Sequence, residues 1–118
     1  MIYIIDDDQD VRASIAFMLS AEDMDSRSFS SGFEFLDMLV SLRPACLLLD
    51  VRMPRISGLD VLRSLAKRHC FWPVIVMTGH GESALAREAM LLGAAAFVEK
   101  PFDTAILLER LKDCVNKL

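Results

Sequence analysis

The sequence predicts one doubly wound α/β domain, a five-stranded parallel sheet with five helices covering both faces. Three observations carry that prediction. Short apolar runs recur along the chain, and the segments between them show helical spacing. No two runs lie close enough for a hairpin, so consecutive strands need crossover connections of the βαβ kind.

The elements follow in order. "IYII" (2–5) is a continuous apolar run, as expected of a strand buried on both faces. Val11, Ile15, Met18 and Leu19 then form one apolar helical face. Asp8 and Asp10 fall at the start of that helix, where its dipole favours acids, and read as cap and first-turn residues. "SRSF" (26–29) is polar enough to be an edge strand. A second helix places Phe35, Met38, Leu39 and Leu42 on one side, enters through a Ser31–Glu34 capping box and ends at Pro44. "CLLL" (46–49) is the next buried strand. A third helix, from about Ser57 to His69, buries Leu59, Leu62, Leu65 and Ala66 and exposes Arg63, Lys67 and Arg68. After "VIVM" (74–77) and the turn "TGHGE", a fourth helix turns Leu85, Ala86, Ala89 and Met90 inward and stops at Gly93. "AFV" (96–98) reads as a buried fifth strand. The last helix starts at an Asp103 N-cap and carries Leu107, Leu108, Leu111, Val115 and Leu118 on one side.

Composition bounds the function. A chain of 118 residues is long enough to bury a core without staples and matches one domain, residues 1–118. A net charge of -4, with no basic run longer than "KRH", argues against nonspecific nucleic-acid binding. No apolar stretch approaches the roughly 20 residues of a membrane span. "MIYII" is too short for a signal-peptide core, so a cytoplasmic location with no membrane contact is expected. Cys46, Cys70 and Cys114 lack the local pairing of a zinc site and read as reduced, buried or half-buried thiols.

In open α/β sheets, ligands bind beyond the carboxyl ends of the strands. Asp6 and Asp7 follow the first strand, Asp50 the third, Thr78 the fourth and Lys100 the fifth. Two acids, a third acid, a hydroxyl and an amine thus converge on one rim. Three carboxylates make a hard oxygen site suited to Mg²⁺. Asp50 on the central strand is the candidate nucleophile, able to become an aspartyl phosphate. Lys100 would neutralise charge on the phosphoryl oxygens, and Thr78 would hydrogen-bond the group once attached.

These residues, in "DD", "DVRMPRISG", "TGH" and "KPF", resemble the response-regulator receiver domains of bacterial two-component systems, over essentially the whole chain. Within that family, "VRMPRISGLDVLR", "VMTGHGE" and "VEKPF" are most similar to receivers of nitrogen-fixation regulators. The resemblance implies a flavodoxin-like sheet of strand order 2-1-3-4-5. It implies Asp50 as the phosphoacceptor, and Asp6, Asp7, Asp50 and the backbone carbonyl of Arg52 as holders of Mg²⁺. It further implies Thr78 and Phe97 as a switch pair, a cis Lys100–Pro101 bond, and Arg52 and His80 as residues that tune loss of the phosphoryl group. Phe97 stands where many relatives carry tyrosine, so only the packing half of that switch is available. The implied partner is a sensor histidine kinase. The implied behaviour is a regulator that catalyses its own phosphorylation and slow dephosphorylation, without being an enzyme in purpose. The implied output is phosphorylation-dependent dimerisation through the fourth helix, fifth strand and fifth helix. Contact with DNA would come only through an output domain absent from this chain.

Leu91 and Leu92 end the fourth helix as adjacent large apolar residues that cannot both face the sheet. Leu91 is the candidate for the dimer surface; packing of both under the final helix is the alternative. A Mg²⁺-dependent phosphohydrolase would want a second acid beside the nucleophile, where Arg52 stands instead. A nucleotide- or flavin-binding module would want glycine or hydroxyl residues after the first strand, where three aspartates stand.

Overall fold

The computed structural model describes all 118 residues. Five strands, β1 (Ile2–Ile5), β2 (Ser26–Phe29), β3 (Cys46–Asp50), β4 (Val74–Thr78) and β5 (Ala96–Glu99), pair in parallel in the order β2-β1-β3-β4-β5. The helices are α1 (Gln9–Ala21), α2 (Gly32–Met38), α3 (Gly58–Lys67), α4 (Ser83–Leu91) and α5 (Thr104–Asn116). Alternate residues of the central strands point to opposite faces and divide the core in two. Tyr3, Ile5, Leu47, Leu49, Val74 and Val76 pack beneath α2, α3 and α4. Ile2, Ile4, Cys46, Leu48, Ile75 and Met77 pack beneath α1 and α5. On the first face, Tyr3, Phe29 and Phe35 stack edge-on or tilted at centroid distances of 5.4–6.2 Å.

Local chemistry sets most helix ends. Asp8 caps α1 by accepting the Asp10 and Val11 amides, and Asp103 does the same for α5 at Ala105 and Ile106. Ser57 and Asp60 form a complete capping box on α3. At the far end of α3, His69 adopts a φ of +54° where glycine is usual, and the Cys70 amide reaches back to Leu65 O at 2.9 Å. The α4 helix closes with the same geometry through Gly93, at φ +107°.

Several expectations need correction. The Ser31–Glu34 box is only half formed: Ser31 accepts the Glu34 amide, but the Glu34 carboxylate turns to Ser30 instead. The second helix ends at Met38 and tightens into a 3₁₀ turn over Leu39–Ser41, well before Pro44. The Leu36 carbonyl accepts the Leu39 amide and also Arg68 Nη1 at 3.1 Å, so a donor from α3's end supports the early stop. Ala66 is exposed, one residue round the helix from the buried Leu65, and Val61 takes a buried place instead. Met90 is 39% exposed, lying one residue round the helix from the fully buried Ala89. Leu118 lies beyond the end of α5 and is exposed. The β5 strand is an edge, not a fully buried strand: Val98 is buried under α5, while Phe97 on the opposite face is 46% exposed. Both Cys46 and Cys114 are buried, and Cys70 is half-buried, all as free thiols.

Candidate functional site

The parallel register assembles the polar rim. Ile5 pairs with Leu49, so the next residues, Asp6 and Asp50, end adjacent strands side by side. Asp50 in turn pairs with Met77, and Thr78 with Glu99. The Lys100 amide donates to Thr78 O at 2.6 Å, which carries the lysine past the strand end to the rim. The Lys100–Pro101 bond is cis.

Carboxylate oxygens of Asp6, Asp7 and Asp50 all lie within 4.8 Å of one another. Asp6 and Asp50 are buried and Asp7 is exposed. Asp6 accepts from the Asp8 amide at 2.9 Å and from Lys100 Nζ at 3.0 Å, and Lys100 Nζ stands 3.6 Å from Asp50 Oδ1. Arg12, which the sequence reading passed over, pins the end of β1 by donating to the Asp6 carbonyl at 2.7 Å. Asp8 and Asp10 are spent on α1 and stand outside the cluster.

Burial, then the neighbouring Asp6 charge, pushes the Asp50 carboxyl up to about 6, against the weaker pull of Lys100 and of the Arg52 amide that donates to it. Burial alone would lower Lys100, but its hydrogen bond to Asp6 and the charges of Asp50 and Asp6 raise it above the usual lysine value. Three acids thus face one ammonium, and a hard divalent cation is the group whose chemistry this donor set fits.

The loop after Asp50 is held close by Gly58, whose amide donates to Val51 O at 2.8 Å. A Cβ at Gly58 would collide with the backbone of Asp50 and Val51, so the "SG" of "RMPRISG" reflects close approach of α3 to the end of β3. Thr78 is 3% exposed, and its hydroxyl donates to Val98 O at 3.4 Å, toward β5. The Arg52 guanidinium pairs with Glu82, whose carboxylate also accepts the Gly79 amide. His80 is almost fully exposed, and its Nδ1 lies 3.0 Å from Glu99 Oε1. Leu91 is 83% exposed while Leu92 packs against the core, which decides between the two residues. Glu82 is a rim residue that the sequence does not single out. Its only signal was its place in "TGHGE", directly after a glycine of positive φ.

With an acid-rimmed, lysine-closed cluster on a β2-β1-β3-β4-β5 sheet, the chain belongs to the response regulator receiver domain family, which it matches over residues 2–112. It is a receiver of the kind found in the transcriptional regulators of two-component systems. The chain is similar to the transcriptional regulatory protein FixJ of Azorhizobium caulinodans, at 48% identity over 116 residues, covering 98% of this chain and 55% of that protein. It superposes on the crystal structure of FixJ-N with a TM-score of 0.94 at 38% identity, covering 99% of this chain and 94% of that one. Against full-length FixJ from B. japonicum the TM-score is 0.93 at 38% identity, with 98% of this chain and 57% of that chain covered. The chain therefore spans a little over half the length of the first regulators it matches. No helix is long and apolar enough to cross a membrane.

Proposed function

We propose that this domain is a phosphorylation-dependent switch in which Asp50 accepts a phosphoryl group from a sensor histidine kinase. The observation that carries the reading is the setting of Asp50: buried on the central strand, beside Asp6 and Asp7, with the Lys100 ammonium 3.6 Å away. A carboxylate oxygen of Asp50 attacks phosphorus, the P–O bond forms as the P–N bond to the donor imidazole breaks, and the imidazole, already protonated on its other nitrogen, leaves as the neutral ring. Lys100 neutralises charge on the phosphoryl oxygens during transfer. Asp6, Asp7, Asp50 and the Arg52 carbonyl would hold Mg²⁺, which when bound supplies charge neutralisation to the transferring group. Asp6 keeps Lys100 aimed at the acid it serves, through their 3.0 Å contact.

Thr78 is one strand-end away from Asp50, and its hydroxyl has only a long bond to β5 to give up before turning to the phosphoryl group. Phe97, on the exposed face of β5, would pack inward as that hydroxyl moves. Arg52 and His80 flank the rim, where a guanidinium and an imidazole would tune attack of water and hence a slow self-dephosphorylation. Leu91, Phe97 and Ile106 place exposed apolar side chains on α4, β5 and α5, which supports dimerisation across that surface. The domain is then the regulatory part of a transcription factor, with DNA contacted through an output domain that the aligned regulators' length leaves room for.

The test is incubation with a small-molecule phosphodonor and Mg²⁺, followed by intact mass. One added phosphoryl group, lost in Asp50→Asn, is the expected result. Equal labelling of that variant removes Asp50 from the role.

A further inference from the structure

The turn "TGHGE" does more than join β4 to α4. Gly81, at φ +82°, takes the left-handed conformation that reverses the chain and brings Glu82 back over the strand ends. The Glu82 carboxylate accepts the Gly79 amide on one oxygen and the Arg52 guanidinium on the other. Gly79 leaves the space for it: a Cβ there would lie 2.7 Å from Glu82 Oε1. The Glu82 side chain is only 14% exposed. Glu82 is also the residue immediately before α4, yet its side chain makes no cap to that helix, and α4 is the one α-helix of the five without a side-chain cap. A carboxylate at a helix N-terminus gains from the dipole and the free amides when it turns toward them. This one turns away, onto two donors that flank Asp50: Arg52 lies two residues beyond it, and Gly79 follows the strand that pairs with it.

We propose that Glu82 is an internal anion that holds, in the unmodified domain, donors that a phosphoryl group on Asp50 would take, so that phosphorylation has to displace it. The proposal rests on Asp50 being the phosphoacceptor. A phosphoryl group brings close to two negative charges and three strong acceptor oxygens beside the Glu82 carboxylate. Repulsion and competition for the Gly79 amide and Arg52 act in the same direction. Once released, Glu82 lies at the first turn of α4 with that helix's unpaired amides within its own local reach. The exchange of one anion for another at the rim is thereby converted into a new partner at the start of the helix that carries Leu91.

Two substitutions remove the competitor in different ways. Glu82→Gln abolishes its charge and keeps its shape. Gly79→Ala keeps the charge, retains the amide, and evicts the carboxylate with a methyl group. The measurement is calorimetric titration of Mg²⁺-loaded protein with beryllofluoride, a mimic of the phosphoryl group. Losing one charge-assisted hydrogen-bonded competitor should tighten binding roughly tenfold in each variant. Ordinary structural damage at the rim would weaken it, so the sign separates the two. Unchanged or weaker affinity in Glu82→Gln, with wild-type protein binding normally, overturns the proposal; should Gly79→Ala fail to fold, Glu82→Gln decides alone. Failure of wild-type protein to bind the mimic counts instead against the assignment of Asp50.

Discussion

The rim at β1 and the face at α4 and β5 are held to different standards. Around Asp6, each polar group has a close partner: Lys100 and the Asp8 amide on its carboxylate, Arg12 on its carbonyl, and Asp8 itself capping α1. Across the sheet, α4 starts without a side-chain cap, the Thr78 hydroxyl has a single long hydrogen bond, and Leu91 and much of Phe97 are exposed. The first region gathers like charges and must be fixed for them to stay together. The second has an uncapped helix start and exposed apolar surface, properties of a segment that rearranges at small cost. On the proposed function, the fixed region receives the phosphoryl group and the looser one makes the response.

Three substitutions probe the fixed side of that comparison, in order of decreasing effect. Lys100→Met leaves the fully buried Asp6 without its ammonium partner and should cost about 3 kcal/mol, read from urea denaturation of metal-free protein. The next concerns Asp50, whose carboxyl is raised from 3.8 to about 6 in the fold. Below about pH 3 the acid is protonated in folded and unfolded chains alike, so it exacts no penalty. Between 3.8 and about 6 the unfolded chain ionises while the folded one stays protonated, so metal-free stability falls across that window and levels off above it. Asp50→Asn should therefore stabilise the metal-free protein at pH 7 by about 2 kcal/mol and have no such effect below about pH 3, measured by denaturation across that range. Smaller again is Asp8→Ala, which removes the α1 cap and should lower stability by about 1 kcal/mol without weakening Mg²⁺ binding appreciably. A large loss of Mg²⁺ affinity in that variant would place Asp8 in the cluster and blur the division drawn within "DDDQD".

Much of this was legible in the sequence because the relevant signals are local. Continuous apolar runs marked β1, β3 and β4, and capping residues marked the starts of α1, α2 and α5. The rule that ligands gather at the carboxyl ends of parallel strands brought Asp6, Asp7, Asp50, Thr78 and Lys100 to one rim. The misreadings have a common physical origin in neighbours distant in sequence. Nothing around Leu39 says that Arg68, 32 residues beyond Leu36, will donate to the Leu36 carbonyl at the end of α2. The apolarity of Ala96, Phe97 and Val98 does not reveal that helical cover reaches only one face of that edge strand. Glu82 carries no sequence signal beyond its place in the turn before a helix, and the space beside it at Gly79 is visible only in the fold.

On the proposed function, the acidic rim receives the signal and the α4–β5 face answers it. Amide hydrogen exchange before and after phosphorylation tests this most directly. The predicted result is a change in protection concentrated at residues 79–85 and in β5, with α1 and β1 nearly unaltered. Changes confined to β1 and α1, with α4 and β5 exchanging as before, would contradict it.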